Sequence, residues 1–250
     1  NHTQTGYLDP NEPDKSKVFW KGEGDFDIFD RFTDHVIKDY FMKPNYYRID
    51  GMPVFAIYEL STFINGLGGM EEAKKALDHF RKKCVKAGLK GVHLQAILWH
   101  ALPATLSGVP GDKSDTQDNT VKYLGFNSLT NYQWVHFVSI NQDYASWGEK
   151  AISKYKEFSE NFSIPYFPHV SIDWDNNPRF PGGPQPAVSN VTPQKFEKFL
   201  YKAKEFIDKH PDQTPLVTIN AWNEWGEGSY LEPDTVYKYG FLEAVKKVFK

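Results

Sequence analysis

The chain is nearly devoid of cysteine, and this scarcity excludes two kinds of structure. Its 250 residues include a single cysteine, Cys84. One thiol can form neither an internal disulfide nor a cysteine-based zinc site. An apolar face, an acidic start and the following Gly88 predict a helix at Glu71–Ala87. Cys84 lies on its apolar side, which indicates a buried structural thiol.

The chain also lacks an excess of charge of one sign and any long apolar run. It has 29 basic and 32 acidic residues and a net charge of −3, whereas a nucleic-acid partner requires a basic surface. No stretch approaches the roughly 18 apolar residues of a membrane span, and no signal-peptide pattern opens the sequence. We therefore expect no nucleic-acid partner and no membrane span in this chain. Its location stays open: periplasmic or extracellular if a segment before Asn1 carries an export signal, otherwise cytoplasmic.

Aromatic residues, by contrast, are abundant at 16% of the chain. Aromatic side chains in this number can form a core, and they can also form a site that stacks on sugars or other flat ligands. The stretch richest in polar chemistry is 218–228, Thr-Ile-Asn-Ala-Trp-Asn-Glu-Trp-Gly-Glu-Gly. A short apolar run before it, Leu216 to Ile219, predicts a buried strand. The strand then leads two carboxylates, two indoles and two asparagines into a turn marked by glycines.

The two carboxylates of this turn, Glu224 and Glu227, are three residues apart. Three extended residues span roughly 10 Å, and a turn brings its first and fourth Cα atoms within about 7 Å. Glycoside hydrolysis uses two carboxyl groups at such distances, one as acid and one as base or nucleophile. The alternative is a polar loop with two solvated glutamates. The flanking Trp222 and Trp225 and the position at the end of a strand favour the catalytic interpretation.

Strands and helices alternate along the whole chain. The apolar runs predict five strands, Met52–Tyr58, Val92–Trp99, Trp134–Ser139, Tyr166–Ile172 and Leu216–Ala221. Helical patterns separate them, and this alternation is typical of βα units and a parallel sheet. Polar and aromatic residues gather after each strand, the end at which α/β barrels carry their active sites. Because no G-x-G-x-x-G or Walker-type loop is present, we favour a barrel over a nucleotide-binding open sheet.

Five strands cannot close an eight-stranded barrel. We therefore expect residues 1–250 to form a single α/β domain that holds the C-terminal five βα units of a (β/α)8 TIM barrel, with three further units before Asn1.

The positions after the strands supply the candidate substrate-binding residues. They are Tyr58, Glu59, Trp99, His100, Asp173, Trp174, Asp175, Arg179, Trp222, Asn223 and Trp225. The tryptophans fit either sugar platforms or packing in the mouth of a barrel. Asp173 and Asp175 fit three roles: orienting sugar hydroxyls, capping the following turn, or a salt bridge to Arg179.

Asn223 could support the carboxylate of Glu224 by a hydrogen bond. His100 and His169 lack metal-ligand spacing, so core or sugar-contact roles remain for them, and we expect neither a metal ion nor a cofactor. If Glu227 is an acid, burial against Trp225 or the neighbouring charge should raise its pKa.

Three stretches together resemble a known family. Asn-Ala-Trp-Asn-Glu-Trp-Gly-Glu-Gly-Ser-Tyr-Leu-Glu-Pro-Asp at 220–234 resembles the motif of WbsX-like proteins, relatives of glycoside hydrolase family 99. Asp-Trp-Asp-Asn-Asn-Pro-Arg at 173–179 is similar to that group's Trp-Asp-Asn-x-Pro-Arg segment, and Pro-Val-Phe-Ala-Ile-Tyr at 53–58 to its fourth strand. The likeness covers essentially the whole chain and implies a (β/α)8 barrel.

The resemblance also implies an activity. In family 99 the corresponding turn supplies both carboxylates for endo-acting, retaining cleavage of α-mannosides through a 1,2-anhydro intermediate. By position, Glu224 is then the base on the sugar 2-hydroxyl and Glu227 the acid/base. This chain has Gly226 where family 99 has histidine, so the WbsX-like branch fits better and the sugar and linkage stay open.

Two other functions compete with hydrolysis of α-linked glycans. WbsX-like proteins have also been labelled glycosyltransferases, from their presence in polysaccharide loci. The sequence offers no clear nucleotide-binding motif, such as Asp-x-Asp in a suitable loop, and this weakens the transferase interpretation. The third possibility is a carbohydrate-binding barrel without catalysis, in which the glutamates only bind hydroxyls.

Overall fold

The computed structural model describes residues 4–6, 9, 11–98, 117–180 and 183–250. The chain divides into two compact units, residues 1–129 and 130–250, and each is described by itself. Among the described residues, no helix is both long enough and apolar enough to cross a membrane.

The first unit contains a four-stranded sheet with helices between its strands. In chain order its elements are β1 (Gln4–Thr5), β2 (Val18–Trp20), α1 (Phe26–Val36), a π-helical turn (Ile37–Phe41), β3 (Arg48–Ile49), β4 (Met52–Ile57), α2 (Leu60–Gly66), α3 (Met70–Lys86), β5 (His93–Ile97), α4 (Gln117–Leu124) and β6 (Ser128–Thr130). The strand order is β3-β4-β5-β6. β4 and β5 are parallel, with Val54 opposite His93.

Aromatic side chains fill the core of this first unit. The ring of Phe80, on α3, contacts the rings of Phe29, Phe41 and Phe55 at centroid distances of 5.2–6.0 Å. Phe41 and Phe80 are completely buried. Offset and edge-on ring contacts of this kind stabilise a core beyond the area that they bury.

The second unit carries the polar clusters that the sequence singles out. Its elements are a 3-10 turn (Trp134–His136), α5 (Tyr144–Asn161), β7 (His169–Ser171), α6 (Pro193–Asp208), β8 (Thr218–Asn220), β9 (Asn223–Glu224), a second 3-10 turn (Trp225–Glu227), β10 (Ser229–Tyr230) and α7 (Gly240–Val248). β7 and β8 are parallel, and β9 and β10 form an antiparallel hairpin. Thr192 caps α6, and Pro193 occupies its first turn, where a missing N–H costs nothing.

Two helices of the second unit approach each other closely at a glycine. A Cβ added to Gly148 on α5 would lie 2.3 Å from the ring of Phe199 on α6. The Phe199 ring in turn contacts the buried rings of Trp134 and Tyr144, each at a centroid distance of 5.6 Å. Gly148 therefore makes room for the aromatic core.

The α/β class predicted from the sequence is confirmed, but the third predicted strand is wrong. The strand lies at Ser128–Thr130, and Trp134–Ser139 begins with a 3-10 turn instead. The side chain of Gln133 accepts a hydrogen bond from the Trp134 backbone, and the Trp134 indole donates to the carbonyl of His169. These side-chain bonds pull an apolar run out of strand geometry. The single domain and the five barrel units stay predictions.

Candidate active site

The polar cluster of the second unit lies where the parallel strands β7 and β8 end. Ser171 pairs with Asn220 at the last register position. After β8 the chain forms the β9–β10 hairpin, in which Glu224 pairs with Ser229 around the 3-10 turn. After β7 it enters the loop that carries Asp173, Asp175 and Arg179.

Arg179 joins the two glutamates of the hairpin. Its Nη2 donates to Oε1 of Glu224 and its Nη1 to Oε1 of Glu227, both at 2.9 Å. Because one planar guanidinium binds both, the carboxylates are held on the same side of the turn. The ion pair that the sequence suggested between Arg179 and Asp173 or Asp175 therefore gives way to one with the glutamates.

The two glutamates differ in environment. Glu227 is only 8% exposed, whereas about a third of the Glu224 side chain is accessible. Burial raises the pKa of Glu227; the charge of Arg179 opposes this increase and the charge of Glu224 adds to it. Its Oε2 atom is buried without a hydrogen-bond partner among the described residues. Glu227 is thus suited to hold a proton on that oxygen.

The glycines of the turn provide space for neighbouring polar groups. A Cβ on Gly226 would lie 3.2 Å from Nη2 of Arg179 and 3.5 Å from Oε1 of Glu224. Gly228 ends the 3-10 turn at φ +66°, a conformation that favours glycine. A Cβ there would lie 3.2 Å from Cβ of Asp175. The ion pairs and the aspartate loop both use the space that these glycines leave.

The two aspartates act differently from each other. Asp175 caps the following turn, because its Oδ1 accepts from the backbone of Asn177 at 2.8 Å, and its own N–H donates to the carbonyl of Glu227 at 2.8 Å. Asp173 Oδ1 accepts from the backbone of Trp174 at 2.7 Å. Burial raises the pKa of Asp173 to about 7, and the charge of Asp175 adds to this effect.

The tryptophans of the hairpin are accessible on the surface of the second unit. Trp222 is 54% and Trp225 is 44% exposed. Trp225 stacks on Tyr230 at a centroid distance of 3.6 Å, and its indole N–H donates to Glu232 at 2.6 Å. One face of Trp225 is therefore covered and its position is fixed. Trp174 is half-buried, and Asn223 is exposed and pairs with Tyr230 across the hairpin.

The other predicted substrate-binding residues lie in the first unit or outside the described part of the chain. Tyr58 and Glu59 belong to the first unit, where Glu59 caps α2 by accepting from the backbone of Thr62. Trp99 and His100 lie outside the described residues. His169 is buried between Thr218 and Ser171, and burial lowers its pKa to about 3. It therefore belongs to the core.

Two residues near the glutamates escaped the sequence analysis. Burial raises the pKa of Tyr132, and the charges of Glu227 and Glu224 raise it further, which indicates that this phenol lies near both. The buried Gln133 amide donates to the carbonyl of Asp173 at 3.1 Å and to Oδ1 of Asn220 at 2.8 Å. A correct assignment of β6 would have found both, because they follow directly after that strand.

The cluster combines two carboxyl groups of the hairpin and the exposed indoles of Trp222 and Trp225 with a cation from the loop after β7. No group of three or more histidine, cysteine or acidic side chains in the described part of the chain could hold a metal ion. Both glutamates are ion-paired with Arg179. Glu227 is buried and suited to proton donation, and Glu224 is more accessible. This arrangement supports acid–base chemistry.

Comparison with known proteins gives a family and two relatives in sequence. A family model described as Glycosyltransferase WbsX matches residues 14–245. The uncharacterized protein WxcX from two strains of Xanthomonas campestris pv. campestris is 24% identical over 243 residues, which cover 91% of this chain and 32% of the relative. The chain spans about a third of the length of these curated relatives.

Solved structures with a similar fold are longer than this chain. A structure described as a glycoside hydrolase-like protein has a TM-score of 0.54 at 13% identity and covers 90% of this chain and 59% of the other. The family 99 endo-alpha-mannosidase from Bacteroides thetaiotaomicron has a TM-score of 0.55 at 15% identity, and the match covers 92% of this chain and 62% of the other. The same enzyme in complex with bis-tris-propane has a TM-score of 0.55 at 13% identity, and the match covers 92% of this chain and 66% of the other. The fold of this chain is therefore glycoside hydrolase-like and consistent with part of a TIM barrel.

Proposed function

This chain belongs to the WbsX glycosyltransferase family, and on that premise we propose that it contributes the catalytic site of a glycoside hydrolase. The substrate is an α-linked, mannoside-like glycan or polysaccharide, and cleavage is endo-acting and retaining. Glu224 and Glu227 are the catalytic carboxyl groups, and no cofactor takes part. The accessible Trp222 and Trp225 contact sugar rings.

The observation that carries this proposal is the pairing of both glutamates by Arg179. The 2.9 Å contacts hold two carboxyl groups of unequal burial side by side at the end of β8. Because both glutamates pair with Arg179, their roles are assigned from their exposure, and the more accessible Glu224 suits the base that contacts the sugar 2-hydroxyl. The buried Oε2 of Glu227 suits the acid, because burial favours the protonated carboxyl.

The chemistry follows the mechanism that the resemblance to family 99 implies. Glu224 takes the proton of the sugar 2-hydroxyl while that oxygen attacks C1. The bond from C1 to the leaving oxygen breaks, and Glu227 gives its proton to that oxygen. Water then opens the 1,2-anhydro ring at C1 as Glu227 takes its proton, and Glu224 returns a proton to the 2-oxygen. The sum is hydrolysis with retained configuration.

The family's name favours a second candidate, glycosyl transfer. Asp173 and Asp175 do have the Asp-x-Asp spacing of many nucleotide-sugar sites, which corrects the expectation from sequence that no such motif is present. However, Asp175 is occupied as a turn cap, and the pKa of Asp173 is raised to about 7. Oδ1 of each aspartate already accepts a backbone hydrogen bond, which leaves one oxygen of each for the metal ion that would hold a nucleotide diphosphate. We therefore place hydrolysis first.

Reducing-end release from a panel of α-mannans and bacterial polysaccharides tests the proposal. The wild type is compared with Glu224→Gln and Glu227→Gln, and with Glu243→Gln on the exposed face of α7 as a control. Hydrolysis requires release by the wild type that both catalytic variants lose and the control retains. Glycan binding without release indicates a binding barrel, and release that needs a nucleotide sugar indicates a transferase. Release that survives both catalytic changes overturns the assignment.

A further inference from the structure

The second unit holds a pocket that the proposed mechanism does not use. Its volume is about 300 Å³, and it lies at the Gly228 end of the glutamate turn. Arg179 and Glu224 approach the other end of that turn, at Gly226. The pocket is therefore adjacent to the catalytic turn.

One acidic side chain gives this pocket its chemistry. Asp173 lines it, and only Oδ1 of that carboxyl group accepts a hydrogen bond within the described residues, from Trp174. The other oxygen, Oδ2, would lie 3.5 Å from a Cβ on Gly228. Arg179, the cation of the same loop, binds the glutamates instead. A largely buried carboxyl group without a cation is costly, and a ligand that donates a hydrogen bond would offset that cost.

Asn190 also lines the pocket, and its amide donates to Asp143 at 2.9 Å. The other side chains of the wall are apolar or aromatic. Ile172, Val188 and Phe241 contribute apolar surface, and Tyr230 and Tyr237 contribute rings. The phenol hydroxyls are already used, that of Tyr237 on the carbonyl of Val191 and that of Tyr230 on Asp234. The wall therefore offers ring faces and one strong acceptor, which suits a ring with apolar C–H faces and hydroxyl donors at its edge.

The size of the pocket and the charge of its lining limit the class of ligand that it can bind. A pocket of about 300 Å³ is at the lower end of the range for small-molecule sites, so it fits one ring rather than a chain. The carboxyl group of Asp173 disfavours an anion such as a phosphate. Asp173 is the one acidic side chain among the described residues that line the pocket, and the apolar side chains around it favour a neutral hydrogen-bond donor over a cation. An uncharged ligand remains.

We propose that this pocket binds a single uncharged sugar ring and forms a subsite beside the glutamate pair. Asp173 accepts from a ring hydroxyl, and the rings of Tyr230 and Tyr237 contact the sugar's apolar face. Gly228 is shared between the pocket and the catalytic turn, so a glycan seated at the glutamates can extend into it. The inference rests on the proposed function for the identity of the ligand as part of a glycan.

Binding is measured without turnover, in the Glu224→Gln/Glu227→Gln background. Methyl α-mannoside, glucoside, galactoside and rhamnoside are titrated separately and followed by saturation-transfer NMR. Val191→Trp fills the half-exposed rim of the pocket, and Asp173→Ala removes the acceptor. Val236→Trp is the matched control, since Val236 is 73% exposed and does not line the pocket. Circular dichroism checks that each variant is folded.

We expect at least one probe to bind the parent and the control equally, and both pocket variants at least about tenfold more weakly, as loss of a charged hydrogen bond implies. Equal binding by all four proteins, or no binding to the parent, overturns the subsite. If probe binding depends on Asp173 but the wild type cleaves no glycan, the subsite is supported and the hydrolase proposal is overturned. Suppose instead that the wild type cleaves glycans, that the glutamate variants do not, and that probe binding is unchanged in Asp173→Ala. The hydrolase proposal is then supported and the subsite is overturned.

Discussion

Nη1 of Arg179 lies 2.9 Å from Oε1 of Glu227, a carboxyl group that is almost completely buried. The same guanidinium holds Glu224 at 2.9 Å through its other terminal nitrogen. One cation therefore contacts both carboxyl groups, which makes Arg179 the most informative position to change.

Replacing Arg179 by glutamine should move the pH dependence of activity. The charge of Arg179 opposes the increase in the pKa of Glu227, so its removal raises that pKa further. If Glu227 is the acid, the basic limb of the kcat/KM profile moves upward by about one pH unit or more. Arg179→Lys keeps the charge but not the two-pronged geometry and should move the limb less. A limb that stays in place in Arg179→Gln would mean that Glu227 is not the titrating acid.

Asp173→Asn should stabilise the protein at alkaline pH. The pKa of Asp173 is about 7 in the folded protein and 3.8 without its surroundings. Because the folded value is higher, the stability linked to this group is fully present below about pH 4 and is lost as the pH rises through 7. Relative to the variant, the wild type should lose up to about 4 kcal/mol of unfolding free energy between pH 4 and pH 8.

Urea denaturation at both pH values measures this difference, and Asp208→Asn on the exposed face of α6 serves as the control. A constant difference between wild type and Asp173→Asn across the pH range would contradict the buried, protonatable carboxyl group.

Gly226→Ala should lower activity through Arg179. The added Cβ would lie 3.2 Å from Nη2 of Arg179, so the guanidinium has to shift away from Glu224. We expect a loss of roughly tenfold in kcat with little change in stability, since a small displacement of a catalytic group is costly. A double-mutant cycle measures the coupling: in the Arg179→Gln background the alanine should have almost no effect. Equal losses in both backgrounds would show that Gly226 acts independently of Arg179.

Gly148→Ala should destabilise the second unit. Its Cβ would approach the Phe199 ring to 2.3 Å, and relief requires α5 and α6 to separate. We expect a cost of about 1–3 kcal/mol in unfolding free energy despite the better helix propensity of alanine. Ser153→Ala, on the exposed face of the same helix, is the control. Thermal denaturation distinguishes the two, and an unchanged midpoint for Gly148→Ala would contradict the close packing.

Local patterns in the sequence predicted the helices well. The apolar face, acidic start and following glycine of the third helix predict Glu71–Ala87, and the structure has Met70–Lys86. The Thr192-Pro193 start of α6 agrees with the structure. In both helices the boundary depends on groups within one turn, which a single sequence contains.

What the sequence could not predict depends on distant contacts. The apolar run at 134–139 has strand character, but two hydrogen bonds of Trp134 hold its start in a turn. Its backbone N–H donates to the side chain of Gln133, and its indole donates to the carbonyl of His169 on β7. That error also hid Tyr132 and Gln133. The pairing of Arg179 with glutamates 45 and 48 residues away requires the closure of two loops. No local spacing indicates which of the four nearby carboxylates Arg179 selects.

The most direct test of the paired-glutamate account compares leaving groups. Once the panel above identifies a substrate, an aryl glycoside of the same sugar is prepared, whose phenolate needs no proton to depart. Glu227→Gln should then retain most of its first-step rate on the aryl glycoside and lose several orders of magnitude on the natural glycan. Glu224→Gln should lose activity on both. Equal losses by Glu227→Gln on the two substrates, or activity of Glu224→Gln on either, would contradict the roles assigned to this pair.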